Sequence, residues 1–543
     1  MGLFVNLYVN SHDITPESWE ETYQESLSLL ERFPLPLMRL QREEIRGQKR
    51  YVYTTRLIEE KDTQDEHWEI DGDLLSYQRA ESFRLYRYQT QRSSHRLVND
   101  DKHVLWADED ALEYVDGNGI DLFGNKTQGY PYHLAILAVG ILFESRFPNN
   151  SFVTGDIDRT QAESVISWMN TILATPAIMP ICLDGNRLYS QLDAIYDDTS
   201  LAIRRFKTLF RDTDEEQLKT LLRYGDRTHV LQNIVETLQN YSQLSQLGVI
   251  NQLSQFLSVT QDVRQLIEIV MQVGKEKSEF NLEELLRVLG NKFITIEPSE
   301  REPLYLFIRS SDTLMNIQDT FAQVFLKIGG APSFIDIYIA RSELVEIFSA
   351  YQPAKQQKFN QILDECEKHC RDELEKTKTL LNEMEKREKS EAPAEIRDEV
   401  ESSQRVPPQS ASGLPEEEYI IKQAHLQQKT YEHPEEGAKQ IGAQLQLIIQ
   451  EHPDIFGSDD RQYYLDAIYK ASSDNGFALR ESAWHQIDQA QNIKLLKSLL
   501  AFSLVSERET SFWNWRIHIM ENSYLWSYLI NEANSHFPDA IPS

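Results

Sequence analysis

Hydrophobic and polar positions change their period several times along the chain, and each change marks a new element. Residues 3–9 (Leu-Phe-Val-Asn-Leu-Tyr-Val) partly alternate and carry strand-forming side chains, which predicts a strand. Thr15, Pro16 and Glu17 supply a cap, a first-turn proline and an early acid. They open a helix to about residue 32, where Pro34 and Pro36 stop it. Aromatic and β-branched runs at 50–58 and 82–90 read as strands, with a weaker one at 66–70. Residues 132–147 read as a buried helix closed by Pro148. Two similar units follow: strand 151–154, turn 155–159 and a helix to about 173, then strand 179–183, turn 184–187 and a helix to about 196.

From 201 to 290 the spacing is helical. Leu218, Leu221 and Leu222 form one stripe, Leu231, Ile234, Val235 and Leu238 another, and Leu244, Leu247, Ile250, Leu253 and Leu257 a third. No fixed period joins these stripes, so a regular solenoid is not predicted. Residues 293–296 and 304–308 read as a short strand pair. Residues 352–388 form a charged helix whose seam (Phe359, Leu363, Cys370, Leu374, Leu381 and Met384) is too thin for a dimeric coiled coil. Periodicity vanishes at 389–418, a linker by composition. It returns after 419 as a small helical bundle. The predicted fold class is therefore an α-rich multidomain α+β chain. Its parts are an N-terminal α/β domain (1–200), a helical middle domain (201–350), a long charged helix (351–388), the linker (389–418) and a C-terminal helical bundle (419–543).

Composition sharpens this picture. With only 21 glycines and 19 prolines in 543 residues, long helices are favoured over an all-β chain. The formal charge of −31 disfavours bulk binding to polyphosphates or anionic membranes. Three cysteines cannot build a disulfide framework, and their odd number suits a reducing compartment. The opening residues lack a secretory pattern, and the most apolar stretch, 134–143, is about half the ~20 residues a membrane span needs. A cytoplasmic protein without a membrane partner is expected.

Candidate chemistry gathers in five places. The turns Asp156-x-Asp158-Arg159 and Asp184-x-Asn186-Arg187 follow predicted strands, where α/β sheets collect ligands. Asp156, Asp158, Arg159, Asp184 and Arg187 are thus the ligand-binding candidates. Asp158 with Gln161 also spells a capping box, and neither turn has phosphate-loop glycines, so capping is the preferred reading. The run 116–121 resembles a calcium loop but lacks its acids, and reads as a turn. Cys366, His369 and Cys370 share a helix face without a fourth ligand, so no metal or cofactor is expected. Between 79 and 96, five arginines face Glu81 alone among interleaved aromatics. Arg84, Arg87 and Arg92 are accordingly the candidates for RNA or single-stranded DNA. Trp513, Trp515 and Trp526 near the C-terminus are candidate partner anchors, although core packing explains most of such a cluster.

No assembled catalytic motif is present. The leading expectation is a non-catalytic scaffold or adaptor binding a protein partner, its guessed setting a signalling or defence assembly of bacterial type. The rivals are a nucleotide-sensing or metal-assisted enzyme using the two turns, and a nucleic-acid-binding module using the arginine strand.

Overall fold

The computed structural model describes residues 3–74, 79–88, 101–115, 119–306, 334–391, 416–427, 433–504 and 510–530. Its compact units do not follow chain order. Residues 1–184 and 414–543 make one, and residues 185–413 make the other. Both are rich in helix, and the sheets belong to the first, so the chain has the α-rich α+β class expected of it.

The first unit holds two sheets. In one, β1 (Phe4–Val9) lies between β7 (Ile120–Lys126) and β8 (Ser151–Gly155), antiparallel to both. Helix α2 (His133–Arg146) packs on β1 and β8, flanked by α1 (Pro16–Glu31) and α3 (Arg159–Met169). Residues 133–144 of α2 are all buried, which is why its sequence is apolar on every side. The second sheet runs β4 (Ile58–Glu59), β5 (His67–Asp73), β2 (Leu37–Ile45), β3 (Gln48–Thr54), β9 (Ala478–Arg480), and β6 (Arg79–Tyr86) pairs with β5.

Strand β9 comes from the far end of the sequence and pairs in parallel with β3 through Tyr51↔Ala478, Val52↔Leu479 and Tyr53↔Arg480. Helix α17 (Glu481–Gln489) packs on β9 and β3, α16 (Arg461–Asn475) packs on β3, α18 (Ile493–Leu504) packs on α16, and α14 (Pro434–Glu451) packs on α18; α15 (Pro453–Phe456) is a single turn. Val52 is buried in the same core as Tyr464, Ile468, Trp484 and Leu496. The indole N–H of Trp484 donates to the Tyr51 carbonyl (2.8 Å), and the Tyr51 amide donates to Ser472 Oγ (3.0 Å). Arg50 bridges to Glu43 (3.0 Å) and Asp488 (2.9 Å) and lies 5.2 and 4.9 Å from the ring centres of Tyr469 and Trp484. The C-terminal helices thus complete the N-terminal sheet, which differs from the free-standing bundle expected from their helical periodicity. Helix α13 (Glu416–Gln427) packs on α3, and Ser167 Oγ donates to Glu416 Oε1 (2.6 Å). Helices α19 (Thr510–Glu521) and α20 (Trp526–Ile530) end the described chain.

The second unit contains helices and no strand among its described residues. It runs through α4 (Gly185–Ile195), α5 (Thr199–Leu209), α6 (Asp214–Tyr224), α7 (Arg227–Gln239), α8 (Leu247–Thr260), α9 (Val263–Gly274) and α10 (Leu282–Gly290). Several starts are written in the sequence as caps: Asp198, Thr213, Asp226, Asp262 and Asn281 each accept a backbone N–H with a side-chain oxygen. Consecutive helices pair as α4/α5, α6/α7 and α8/α9. Each pair stacks on the next, with α6 between α4 and α8, and α7 between α5 and α9. That is the packing order of a solenoid, in which each repeat contacts its neighbours. The three pairs begin at residues 185, 214 and 247, so they are 29 and 33 residues apart, and no constant period is visible in the sequence. Helix α11 (Arg341–Tyr351) and α10 both pack on α12 (Gln356–Glu391), whose 36 residues make it about 54 Å long.

Three expected strands, 179–183, 293–296 and 304–308, do not form among the described residues; 307 and 308 lie outside them. Residues 179–183 form an extended lead into a 3-10 turn: Pro180 has no amide to donate, and the Ile181 amide donates to Glu144 Oε1 (2.6 Å) instead of a ladder. Residues 293–296 form a buried turn, and 304–306 are helical. Here the chain wraps the buried Arg301, which donates to the carbonyls of Ile296 (2.8 Å), Ile335 (3.2 Å) and Ile337 (2.7 Å). Of the expected linker, 392–415 lies outside the described residues, while 416–418 begin α13. No described helix is long and apolar enough to cross a membrane.

Candidate functional site

The turn after β8 is consumed by local structure. Asp156 Oδ2 accepts from the Phe4 amide (2.8 Å) while the Asp156 amide donates back to the Phe4 carbonyl (2.9 Å), closing the end of the β1–β8 ladder. Gly155 stands at φ +132°, where a Cβ would come within 2.4 Å of the Phe4 oxygen. Asp158 Oδ1 accepts from the Gln161 amide (2.8 Å), and Gln161 Oε1 accepts from the Asp158 amide (3.3 Å), the full capping box. Arg159 donates to the Leu183 carbonyl and lies 3.7 Å from Glu163. Asp184 ends the first unit, and Arg187 lies in α4 of the second. Because β8 is antiparallel to β1 and 179–183 is no strand, the crevice at parallel strand ends that would have gathered these residues does not form.

Arg84 on β6 and Arg87 just past its end are paired with acids. Arg84 meets Glu69 (3.0 Å), and Arg87 meets Glu20 (2.5 Å) and Glu66 (3.1 Å). Arg79 donates to the Gly476 carbonyl. Arg92 and the calcium-like residues 116–118 lie outside the described residues. Trp526 is buried, its indole N–H donating to the Ile519 carbonyl (3.0 Å). Half-buried Trp515 covers Gly437, where a Cβ would lie 2.2 Å from its ring. Trp513 lies in α19, but its side chain is outside the described residues. Cys366 and Cys370 are buried where α12 meets α10, their thiols 3.7 Å from the Arg287 carbonyl and 3.4 Å from that of Gly290; burial pushes both up to about 11. Among the described residues no three metal-ligating side chains converge.

A site that no sequence signal marked lies in the stacked pairs of the second unit. A cavity of about 540 Å³ is walled by α5, α6, α7 and α8, within the size range of small-molecule and peptide pockets. Lys207 on α5 lines it and donates through Nζ to Asn233 Oδ1 on α7 (2.9 Å). Burial lowers the Lys207 pKa, against the opposing pull of the Asp214 carboxylate. Gln252 on α8 also lines it, and its Oε1 is buried without a hydrogen bond among the described residues. Ile203, Leu218 and Phe256 supply an apolar wall. The wall therefore carries two lysines (Lys207 and Lys292), two acids (Asp214 and Glu215) and an apolar patch. A second cleft of about 480 Å³, in the first unit between the end of α1 and the β3–β4 connection, is lined by Leu30, Phe33, Leu37 and Leu57. Its charged side chains (Glu31, Arg56 and Lys61) are all exposed, so no buried polar group would orient a ligand there.

Comparison with protein-family models, curated proteins and solved structures gives no match.

Proposed function

We propose that the chain is a non-catalytic interaction scaffold that works in the cytoplasm and holds a protein partner on its second unit. The observation that carries this reading is the stack of helix pairs α4–α9. Such stacks present extended side-chain surfaces, and this one exposes large apolar side chains on its second and third pairs: Tyr224 (41%) on α6, Leu247 (52%) on α8 and Met271 (41%) on α9. Isolated exposed apolar residues are ordinary on any surface; three on one stack are candidate anchors. The rival readings have weaker support. The acids of the 155–159 turn are engaged in a ladder end and a helix cap, and Arg84 and Arg87 are neutralised by glutamates.

The test uses the full chain, cross-linked in its native host, with the recovered protein then purified and titrated against it. Direct binding weakened at least tenfold by Leu247→Asp with Met271→Asp supports the reading. Absence of any direct partner, together with nucleotide turnover or metal-dependent activity abolished by Asp156→Ala in a folded chain, would replace it with the enzyme reading. Salt-sensitive RNA or DNA binding abolished by reversing Arg84 and Arg87 would replace it with the nucleic-acid reading.

A further inference from the structure

We draw no further inference here: the strongest candidate, the cavity of about 540 Å³ walled by α5, α6, α7 and α8, sets Lys207 and Lys292 beside Asp214 and Glu215, and nothing in the structure shows what occupies it.

Discussion

Replacing Arg50 by Met should uncouple the C-terminal helices from the N-terminal sheet. Arg50 lies on β3, and its side chain is 8% exposed. It makes two charge-assisted contacts, at 3.0 Å to Glu43 on β2 and 2.9 Å to Asp488 on α17, beside the faces of Tyr469 and Trp484. A hydrogen bond to a charged group contributes about 1.5–3 kcal/mol, and a cation–π contact about 0.5–1 kcal/mol. Glu43 and Asp488 are 31% and 32% exposed and regain water when Arg50 is lost, which places each bond at the low end. Met fills much of the same volume, so the net loss should be about 3 kcal/mol. Urea denaturation should show a lower midpoint with an unchanged slope. Hydrogen exchange resolves where the loss falls: amides of β3, α16 and α17 should open together, because all three belong to one compact unit. If α16 and α17 keep their protection while β3 loses its own, the C-terminal helices fold independently and the argument from β9 fails.

The remaining predictions are more local. Asp158→Ala should cost about 1 kcal/mol in denaturation, the loss of one helix cap, and the enzyme reading gains if it abolishes an activity without that cost. Cys366 and Cys370, pushed up to about 11, should react with an alkylating reagent at pH 8 only after unfolding; rapid labelling of the native chain would refute their burial. His133 is buried beside Thr127 Oγ1 (2.7 Å), and burial lowers it from its ordinary 6.5 to about 4. Above pH 6.5 both folded and unfolded forms are neutral; between 6.5 and 4 the unfolded chain takes up the proton first, so stability falls with pH by up to about 3 kcal/mol. His133→Gln should flatten that limb in urea titrations at pH 7 and 4.5, and an equal pH dependence in the two chains would refute the assignment.

What was legible in the sequence was local. Strands β1, β3, β5, β6 and β8 and helices α1, α2 and α3 follow from alternation, caps and breakers within a few residues of each other. The Asp158–Gln161 box is an instance in which four consecutive residues carry the whole argument. What was not legible depends on distant chain. Residues 179–183 have the composition of a strand, but a buried glutamate on α2 takes the Ile181 amide, and nothing near 181 announces Glu144. Strand β9 has only three residues, too few for alternation to register, and it exists because β3 offers it an edge more than 400 positions earlier.

The same reasoning explains why the cavity was missed while the turn at 155–159 was noticed. Motif reading rewards chemistry concentrated in one short segment, and a dense segment is often dense because its side chains serve one another, as Asp156 serves Phe4 and Asp158 serves Gln161. Lys207 by contrast is a single lysine near the end of an amphipathic helix, and in sequence it reads as a side chain reaching for water. Asn233 and Gln252 are 26 and 45 positions further on, on separate helices, and neither amide has a local signature. They become a site only because unequal helix pairs stack so that α5, α7 and α8 share a wall. The signal that could have found them was a weak one. Alternate helices from α4 to α9 each begin at a cap or sharp turn after about thirty residues, and tolerance of a four-residue drift would have revealed the stack. Given the stack, the polar positions on the inner faces of its layers become the ones to question, and Lys207 is where they leave a charge beside a cavity.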